Sequence, residues 1–467
     1  MALTTSTKGR VPTGYADEIA ISETTFRAAH RSVESNQLPP SKKRKREGKG
    51  DSSVVYGAGA YKGPWAKYEE EQPDASSGSE EEVEVEYEED DLVPNPLTAP
   101  SKASTAYQEI SADKEMTEFH GTEMYDYQGR TYMHVPQDLN IDLKGELPED
   151  YKNFVPKKVI HTYKSHTAGI TQMRFFPDSG HLLLSASADT KIKIWDAYHQ
   201  RSLLRTYSGH TKSVSDISFT TSGHQFLSSS YDRTIKLWDT ETGACVSRFP
   251  LTATPHCIAF HPSTTEFLAG LSDKKILQFD PRAPAPGAKD ADRDLAKPVQ
   301  EYDHHLGPIN SLLWYDEGRR FLSTSDDRSL RAWEFGIPVP IKFIADPSMF
   351  ALVRGVSHPG GKYAAYQSGD NQIVVYSVGD KVRLNRKKGF RGHNTAGTAV
   401  ELDISPDGGL LASGDSGGYA VFWDWKTGKL VQKLKAAEGV ISCVRWHPRE
   451  TSKVVTAGGD GVIKYWD

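Results

Sequence analysis

A serine, a histidine and an aspartate recur together in the later part of this 467-residue sequence. These residue types can form a hydrolase triad, in which the serine attacks, the histidine takes its proton and the aspartate orients the histidine. The three sets are His166, Ser185 and Asp189; His210, Ser228 and Asp232; and His305, Ser323 and Asp327. Because a catalytic set would occur once, the repetition favours a structural role, and the sequence predicts a protein that is not an enzyme.

A tryptophan follows each of these aspartates by six residues: Trp195, Trp238 and Trp333. The histidine can bond both the aspartate and the serine, and the serine oxygen can accept the indole N–H. Each set therefore predicts a closed, buried hydrogen-bond network that fixes local geometry. A further set, with threonine in place of serine, is Thr456, Asp460 and Trp466.

The elements that position these residues are short strands in a repeating unit. Within residues 203–243, a Gly-His pair precedes several short alternating or β-branched runs and a closing Trp-Asp pair. Four short strands joined by tight turns form one blade of a β-propeller, and these two pairs are typical of WD repeats. The unit ends seven times, at Trp195, Trp238, Phe279, Trp333, Tyr376, Trp423 and Trp466. The predicted fold is therefore all-β, a seven-bladed WD-repeat propeller.

Three blades lack the complete network. Blade 3 has Phe279 at the tryptophan position and no Gly-His pair, blade 5 ends in Tyr376, and blade 6 has Gly417 in place of the aspartate. His-Pro pairs at 261, 358 and 447 predict turns after the first strands of their blades. These histidines, like the others, lack metal-ligand spacing, and no cofactor is predicted.

The ring is predicted to close through residues 158–163. In WD propellers each repeat begins with the outer strand of the preceding blade, so 158–163 would be the outer strand of blade 7. Pairing with residues 462–466 would tie the two ends of the domain together and protect its edges. The propeller domain is thus predicted to span 158–467.

The overall composition excludes several classes of protein. The net charge of −6 argues against a protein that binds nucleic acid by bulk electrostatics. Cys245, Cys257 and Cys443 have no CxxC spacing, which favours a reducing compartment without disulfides or zinc. The sequence has no apolar run of membrane length and no phosphate-binding glycine loop, so neither a membrane nor a small-molecule substrate is expected.

Residues 1–157 are predicted to form a long, largely disordered N-terminal arm, because their apolar residues are too few to offset the entropy of ordering. The basic run at 42–46 predicts a nuclear-import signal, and the alternatives are a solvated charge cluster or a weak RNA contact. Its residues are Lys42, Lys43, Arg44, Lys45 and Arg46. The acidic run at 80–91 is expected to be an extended, solvated spacer.

Two aromatic segments of the arm are candidate docking sites. Segment 61–68 contains Gly63, Pro64 and Trp65, and segment 123–139 contains Tyr125 and Tyr127. An exposed aromatic side chain is costly to leave in water, so a pocket on a partner protein is its expected location. For Trp65 the alternative is that the side chain packs on the protein's own propeller.

Two segments depart from the repeat pattern. Residues 283–298 lengthen blade 3 and are expected to form a surface loop. Residues 381–391 concentrate cations on a predicted outer strand, and the candidates for contact are Arg383, Arg386, Lys387, Lys388 and Arg391. They could bind an RNA backbone or an acidic protein, or they could simply blunt an exposed edge strand.

Beyond its fold, the sequence resembles the pre-mRNA-processing factor seventeen family of second-step splicing factors. The resemblance rests on FLSSSYDRTIKLWDTETG at 226–243, WDWKTGKL at 423–430 and HPRETSKVVTAGGDGVIKYWD at 447–467. In the arm, GPWAKY at 63–68 and EMYDYQGRTYMHVPQDL at 123–139 are also similar to the family. The likeness covers the propeller and these two parts of the arm, while the loop at 283–298 is longer than the family's pattern.

The resemblance implies a nuclear, non-enzymatic scaffold that promotes the spliceosome's second step, exon ligation. It implies docking on spliceosomal proteins, including the large scaffold protein of the U5 particle, with contact to U2/U6 small nuclear RNA and pre-mRNA. The alternative is a WD substrate receptor of a ubiquitin ligase or a chromatin-binding WD protein. Either would use residues just before the loop aspartates: Ala188, Tyr231, Ser272, Asp326, Gly369, Ser416 and Gly459.

Overall fold

The computed structural model describes residues 115–121, 129–139, 142–143, 145, 147–148, 150–282, 297–379, 381–395 and 397–467. All of them lie in one compact unit, Ser104–Asp467. The basic run at 42–46, the acidic run at 80–91, the docking residues Gly63, Pro64, Trp65, Tyr125 and Tyr127, and loop residues 283–296 lie outside this described part. Among the described residues, no helix is long and apolar enough to cross a membrane.

The described residues form 29 strands. Before blade 1 lie β1 (Met116–Phe119) and β2 (Val159–Lys164). Blade 1 contains β3 (Ile170–Phe175), β4 (Leu182–Ser187), β5 (Ile192–Asp196) and β6 (Leu203–Ser208). Blade 2 contains β7 (Val214–Phe219), β8 (Gln225–Ser230), β9 (Thr234–Asp239) and β10 (Cys245–Pro250). Blade 3 contains β11 (Pro255–Phe260), β12 (Phe267–Leu271), β13 (Ile276–Phe279) and β14 (Gln300–Tyr302).

The remaining blades repeat this order. Blade 4 contains β15 (Ile309–Tyr315), a 3₁₀ turn at Asp316–Gly318, β16 (Arg320–Ser325), β17 (Ser329–Glu334) and β18 (Pro340–Ala345). Blade 5 contains β19 (Leu352–Ser357), β20 (Tyr363–Ser368), β21 (Gln372–Ser377) and β22 (Arg383–Phe390). Blade 6 contains β23 (Leu402–Ile404), β24 (Leu410–Gly414), β25 (Tyr419–Asp424) and β26 (Leu430–Lys435). Blade 7 contains β27 (Ile441–Trp446), β28 (Val454–Gly458) and β29 (Val462–Trp466), with β2 as its fourth strand.

The predicted seven-bladed propeller and its closure are confirmed. Each blade is an antiparallel sheet, and β2 pairs with β29, with Val159 opposite Trp466. The first strands of neighbouring blades contact one another around the whole ring. The chain therefore closes on itself, so that blade 7 combines both ends of the domain.

Burial is greatest in the second and third strands of a blade and smallest in the outer strands. In blade 1 every residue of β4 and β5 is buried, because apolar side chains pack between adjacent blades on both faces of the sheet. The outer strands β18 and β26 are mostly exposed, whereas β6 has three buried residues. The reason is that β1 lies against β6 as a fifth strand of blade 1.

Strand β1 is where the structure departs from the predicted arm. Residues 1–157 are predicted to be largely disordered, yet Met116–Phe119 pairs with β6, and Asn153 is buried against the turns at Asp407 and Thr451. A strand of four residues has too short a pattern to recognise in a sequence. It is ordered by a partner strand distant in the chain rather than by its own propensity.

Candidate functional site

The predicted Ser-His-Asp-Trp networks are assembled in blades 1, 2 and 4. In blade 1, His166 lies 2.8 Å from Asp189 through Nδ1 and 2.8 Å from Ser185 through Nε2, and the Trp195 indole donates to Ser185 Oγ at 2.8 Å. Blade 2 repeats these contacts with His210, Ser228, Asp232 and Trp238, and blade 4 repeats them with His305, Ser323, Asp327 and Trp333. Nine atom pairs thus agree within 0.3 Å.

The direction of the hydrogen bonds explains why these serines hold the blade together. The indole donates to the serine oxygen, the serine hydroxyl donates to histidine Nε2, and Nδ1–H donates to the aspartate. Ser185, Ser228 and Ser323 are fully buried between strands, so no substrate can reach their oxygens. Each network satisfies its buried polar groups internally, which is a structural role.

The aspartates of these networks are held ionised. Burial by itself raises the pKa of Asp189, but hydrogen bonds from His166 and from the backbone N–H of Lys191 and Thr167 outweigh burial and hold the pKa at about 2. The pKa values of Asp232 and Asp327 are lowered by the same kind of contacts against the same effect of burial. The negative charge therefore persists at neutral pH and orients each histidine.

The partial set in blade 7 is only half assembled. The Trp466 indole donates to Thr456 Oγ1 at 2.8 Å, as predicted. Within the ranges that the structure describes, Asp460 accepts only the backbone N–H of Val462 in its own turn, at 3.1 Å. In blade 6 the Trp423 indole donates to the Arg391 carbonyl instead, at 2.9 Å. The network is thus a property of individual blades and is not required in every one.

A charged cluster that the sequence reasoning missed lies on the innermost strands. Arg174 on β3 contacts Glu401 at 3.1 Å and Asp216 on β7 at 3.6 Å, and Arg445 on β27 also contacts Glu401. Arg354 on β19 approaches Asp216 at 4.0 Å. The available signal was a single charged residue inside the first strand of blades 1, 2, 5 and 7. The cluster links blades 1, 2, 5 and 7 with the residue preceding β23, which favours a closed ring.

A second missed feature is Glu115, which binds the arm to blade 2 while the adjoining strand β1 pairs with blade 1. Glu115, just before β1, accepts hydrogen bonds from Lys236 at 2.5 Å and from Arg248 at 2.8 Å, both in blade 2. Lys236 is fully buried, so the carboxylate compensates a charge that would otherwise be unpaired. The sequence feature that could have indicated this contact is Lys236, a lysine within the buried strand β9, because a buried ammonium needs a counterion.

An aromatic contact holds the following part of the arm. Tyr132 stacks on Phe119 of β1, with ring centroids 5.8 Å apart, and the guanidinium of Arg205 lies over both rings. The Tyr132 hydroxyl donates to the Thr240 carbonyl. Tyr132 lies inside the predicted docking segment 123–139, so this part of the segment packs on the protein's own propeller. This packing was not predicted for the segment from its sequence.

The cations of β22 are in two different environments. The ammonium of Lys388 lies 4.5 Å from the Trp425 ring centroid, and Arg391 donates to Gln372 at 2.8 Å, so both have partners within the propeller. Arg383, Arg386 and Lys387 are exposed. On β22 itself these three present their charges to solvent, and Arg391, just after the strand, is exposed as well.

The positions just before the loop aspartates are mixed in character. Ala188, Asp326, Gly369 and Gly459 are exposed, and Ser272 and Ser416 are half-buried. Tyr231 is the only aromatic residue among the seven positions, and its ring meets His256 edge-on at 6.1 Å. One aromatic ring cannot form a cage around a methylated lysine. In the described part of the chain, no group of three or more His, Cys, Asp or Glu is placed to hold a metal ion.

Comparisons with known proteins extend this description. The family described as WD domain, G-beta repeat matches residues 157–196, 201–239 and 296–334, and the Anaphase-promoting complex subunit 4 WD40 domain family matches residues 362–449. Pre-mRNA-processing factor 17 of Homo sapiens is 46% identical over 428 residues, 91% of this chain and 70% of the relative. The mouse protein of the same name has the same identity and coverage. The Saccharomyces cerevisiae protein of that name is 37% identical over 91% of this chain and 88% of its own length.

Proposed function

The chain belongs to the pre-mRNA-processing factor 17 family, and from this membership we propose that it is a non-catalytic docking scaffold of the spliceosome. Its proposed task is to stabilise the assembly for exon ligation, the second step of pre-mRNA splicing. The observation that carries the proposal is the extent of the likeness. An alignment of 428 residues is longer than the propeller, so it includes part of the arm as well as the ring.

The physical basis of the proposed scaffold is the rigidity of the ring. Closure through β2 and β29, the three buried networks and the charged cluster on the first strands all resist deformation of the propeller. A rigid body that binds one conformation of an assembly more tightly than another shifts the assembly toward that conformation. No chemical step by the protein itself is needed for this effect.

The proposed partners follow from the family and from the arm. We infer docking on spliceosomal proteins, among them the large U5 scaffold protein, with Trp65, Tyr125 and Tyr127 as aromatic anchors. Contact with U2/U6 small nuclear RNA or pre-mRNA is assigned to the exposed cations Arg383, Arg386 and Lys387, with an acidic protein as the alternative ligand. A splicing role requires entry into the nucleus, for which the basic run at 42–46 is the proposed signal.

The test is native affinity purification of the tagged full-length protein from nuclear extract, followed by sequencing of the co-purifying RNA. Enrichment of U2, U5 and U6 small nuclear RNAs with intron lariat intermediates supports the proposal. Recovery of cullin adaptors or histones without these RNAs would instead indicate a ubiquitin-ligase receptor or a chromatin-binding protein.

Matched variants separate docking from folding in the same experiment. Trp65→Ala and Tyr125→Ala are expected to reduce recovery of the small nuclear RNAs without lowering the melting temperature. Asp232→Ala is expected to lower the melting temperature because it removes a partner from a buried network. Normal recovery with both arm variants would contradict the anchoring role of these side chains.

A further inference from the structure

The outer strand of blade 4 is an unprotected apolar edge. Within the described residues no strand pairs with the outer side of β18. Ile341 and Phe343 are 52% and 53% exposed, and Val339, just before the strand, is 59% exposed. Lys342 is the only charged residue of β18, whereas β22 of the next blade carries four cations. Native proteins usually blunt such edges with charge, so this edge is a candidate for strand addition.

A cavity of about 480 Å³ lies along the same strand, between blades 4 and 5. Its apolar wall includes Ile344, Met349, Leu352 and Leu384. Because side chains alternate along a strand, Ile344 lines the cavity on one face of β18 while Ile341 and Phe343 project from the other. A strand added to this edge would therefore bury apolar side chains on both of its faces.

The charges around the cavity indicate which side chains a bound segment would carry. Lys342, Arg383 and Arg386 line it, against the two carboxylates of Asp346 and Asp370, which leaves an excess of positive charge. Asp370 Oδ1 is buried and has no hydrogen-bond partner among the described residues, so it can accept a bond from an incoming donor. An occupant with acidic side chains beside apolar ones would complement the cations.

Blade 1 provides an example of an outer strand whose free edge is occupied by another strand. In blade 1, β1 lies antiparallel to β6, with Met116 opposite Ser208 and Phe119 opposite Arg205. Glu115 at the start of β1 pairs with two cations of the neighbouring blade. Blade 4 offers the same backbone edge, with cations from the neighbouring blade beside it, but its edge is bare in the described chain.

We propose that the outer edge of β18 and the adjoining cavity bind an extended segment of a partner protein, in which apolar and acidic residues alternate. The segment adds a fifth strand to blade 4, places apolar side chains over Phe343 and into the cavity, and directs carboxylates toward Lys342, Arg383 and Arg386. RNA is disfavoured here because phosphate contacts and base stacking would use neither the backbone edge nor Ile341. This inference rests on blades 4 and 5, and for Arg383 and Arg386 it takes the acidic-protein alternative in place of the RNA contact.

The test uses the full-length protein and a fluorescein-labelled peptide of alternating valine and glutamate, long enough to span the six residues of β18. Binding is followed by fluorescence anisotropy, and hydrogen exchange locates the protected amides. The peptide is expected to bind and to slow exchange within 340–345. A valine-lysine peptide, or a version N-methylated along its pairing edge, should bind at least about tenfold more weakly.

Two protein variants test whether the peptide binds at β18. Phe343→Lys should weaken binding by about tenfold or more, because it removes an apolar contact, while Val431→Lys on the outer strand of blade 6 should leave it unchanged. Lack of binding, or protection of amides outside 340–345, would overturn the proposal. So would tighter binding of a uridine oligonucleotide at the same place, or a dimer that Phe343→Lys converts to a monomer.

Discussion

Blades 2 and 3 are neighbours with the same four-stranded topology, yet different forces hold them. Blade 2 contains the buried network of His210, Ser228, Asp232 and Trp238. Blade 3 has Ala269 at the serine position and fills the space with rings: Phe267 stacks on Phe279 at 5.3 Å, and Phe249 of blade 2 meets Phe279 edge-on at 5.5 Å. Blade 2 has the equivalent rings, Tyr207, Phe226 and Trp238. Blade 3 therefore keeps the aromatic packing and lacks the directional hydrogen bonds.

The difference shows that the WD signature determines how a blade is held, and not whether a blade forms. A hydrogen-bond network fixes the orientation of its members but makes each of them indispensable, since every lost partner leaves a buried group unsatisfied. Aromatic packing is less directional and depends on volume. The two blades should therefore respond differently to the same kinds of substitution.

The largest difference is expected for the loop aspartates. Asp232→Ala leaves His210 Nδ1 and the backbone N–H groups of Thr211 and Thr234 without their acceptor, and should lower the free energy of unfolding by about 3 kcal/mol. Asp273→Ala in blade 3 removes only one long turn contact, to Lys275 at 3.4 Å, and should change it by less than about 0.5 kcal/mol. The measurement is urea unfolding at neutral pH. Similar losses in both variants would mean that Asp232 acts only through its turn.

Exchanging the residues at the serine position, alanine into blade 2 and serine into blade 3, should lower the free energy of unfolding in both cases. Ser228→Ala removes the partner of both His210 Nε2 and the Trp238 indole and should cost about 2 kcal/mol. Ala269→Ser buries a hydroxyl where the neighbouring side chains are apolar, which should cost about 1–2 kcal/mol. Thermal and urea unfolding of the two variants provide the check. If Ala269→Ser left the stability unchanged, blade 3 would contain a hydrogen-bond partner for the new hydroxyl. The proposed difference between blades 2 and 3 would then be wrong.

The two blades should also respond to acid in different pH ranges. Burial lowers the pKa of His261, which clamps blade 3 to blade 4 through the Gly318 carbonyl at 3.1 Å. The unfolded chain therefore takes up a proton at this histidine below its ordinary pKa of 6.5 while the folded chain resists, so stability is lost as pH falls below 6.5. The pKa of Asp232 is lowered, so its contribution is present above 3.8 and is lost as pH falls below that value.

Urea midpoints measured from pH 7 downward test both ranges. His261→Gln should reduce the loss of stability as pH falls below about 6.5, because glutamine keeps a donor for Gly318 but does not titrate there. Asp232→Asn should be less stable than the unaltered protein at every pH. Its free energy of unfolding should, however, fall less steeply below about pH 4 than that of the unaltered protein. A His261→Gln variant with an unchanged slope would show that the pKa of His261 is the same in the folded and the unfolded protein.

The sequence predicted the features that repeat. Trp195, Trp238 and Trp333 recur with their serines, histidines and aspartates at fixed spacing, so one repeat predicts the contacts of the next. The closure of β2 on β29 followed from the same periodicity. Repetition also explains why a set that imitates a hydrolase triad could be assigned a structural role before the structure was known.

Features that occur once could not be predicted in this way. Glu115 meets Lys236 across 121 residues of chain, and Arg174 meets Glu401 across 227. Neither pair has a local pattern, because each depends on where the closed ring brings distant residues together. His261 was predicted as a turn residue, and its bond to the neighbouring blade became visible only with the blades in place.

The smallest expected effect concerns a feature that blades 2 and 3 share. Arg233 and Lys274 follow the loop aspartates with φ of 67° and 75°, a left-handed conformation that strains a residue with a side chain. Arg233→Gly and Lys274→Gly relieve this strain but add entropy to the unfolded chain, so each should raise the free energy of unfolding by about 0.5 kcal/mol. Because both side chains are exposed and the strain is local, the gain should be the same with or without the network. Unequal gains in urea unfolding would mean that the network in blade 2 also dictates the shape of its turn, and the two blades would then differ in backbone as well as in packing.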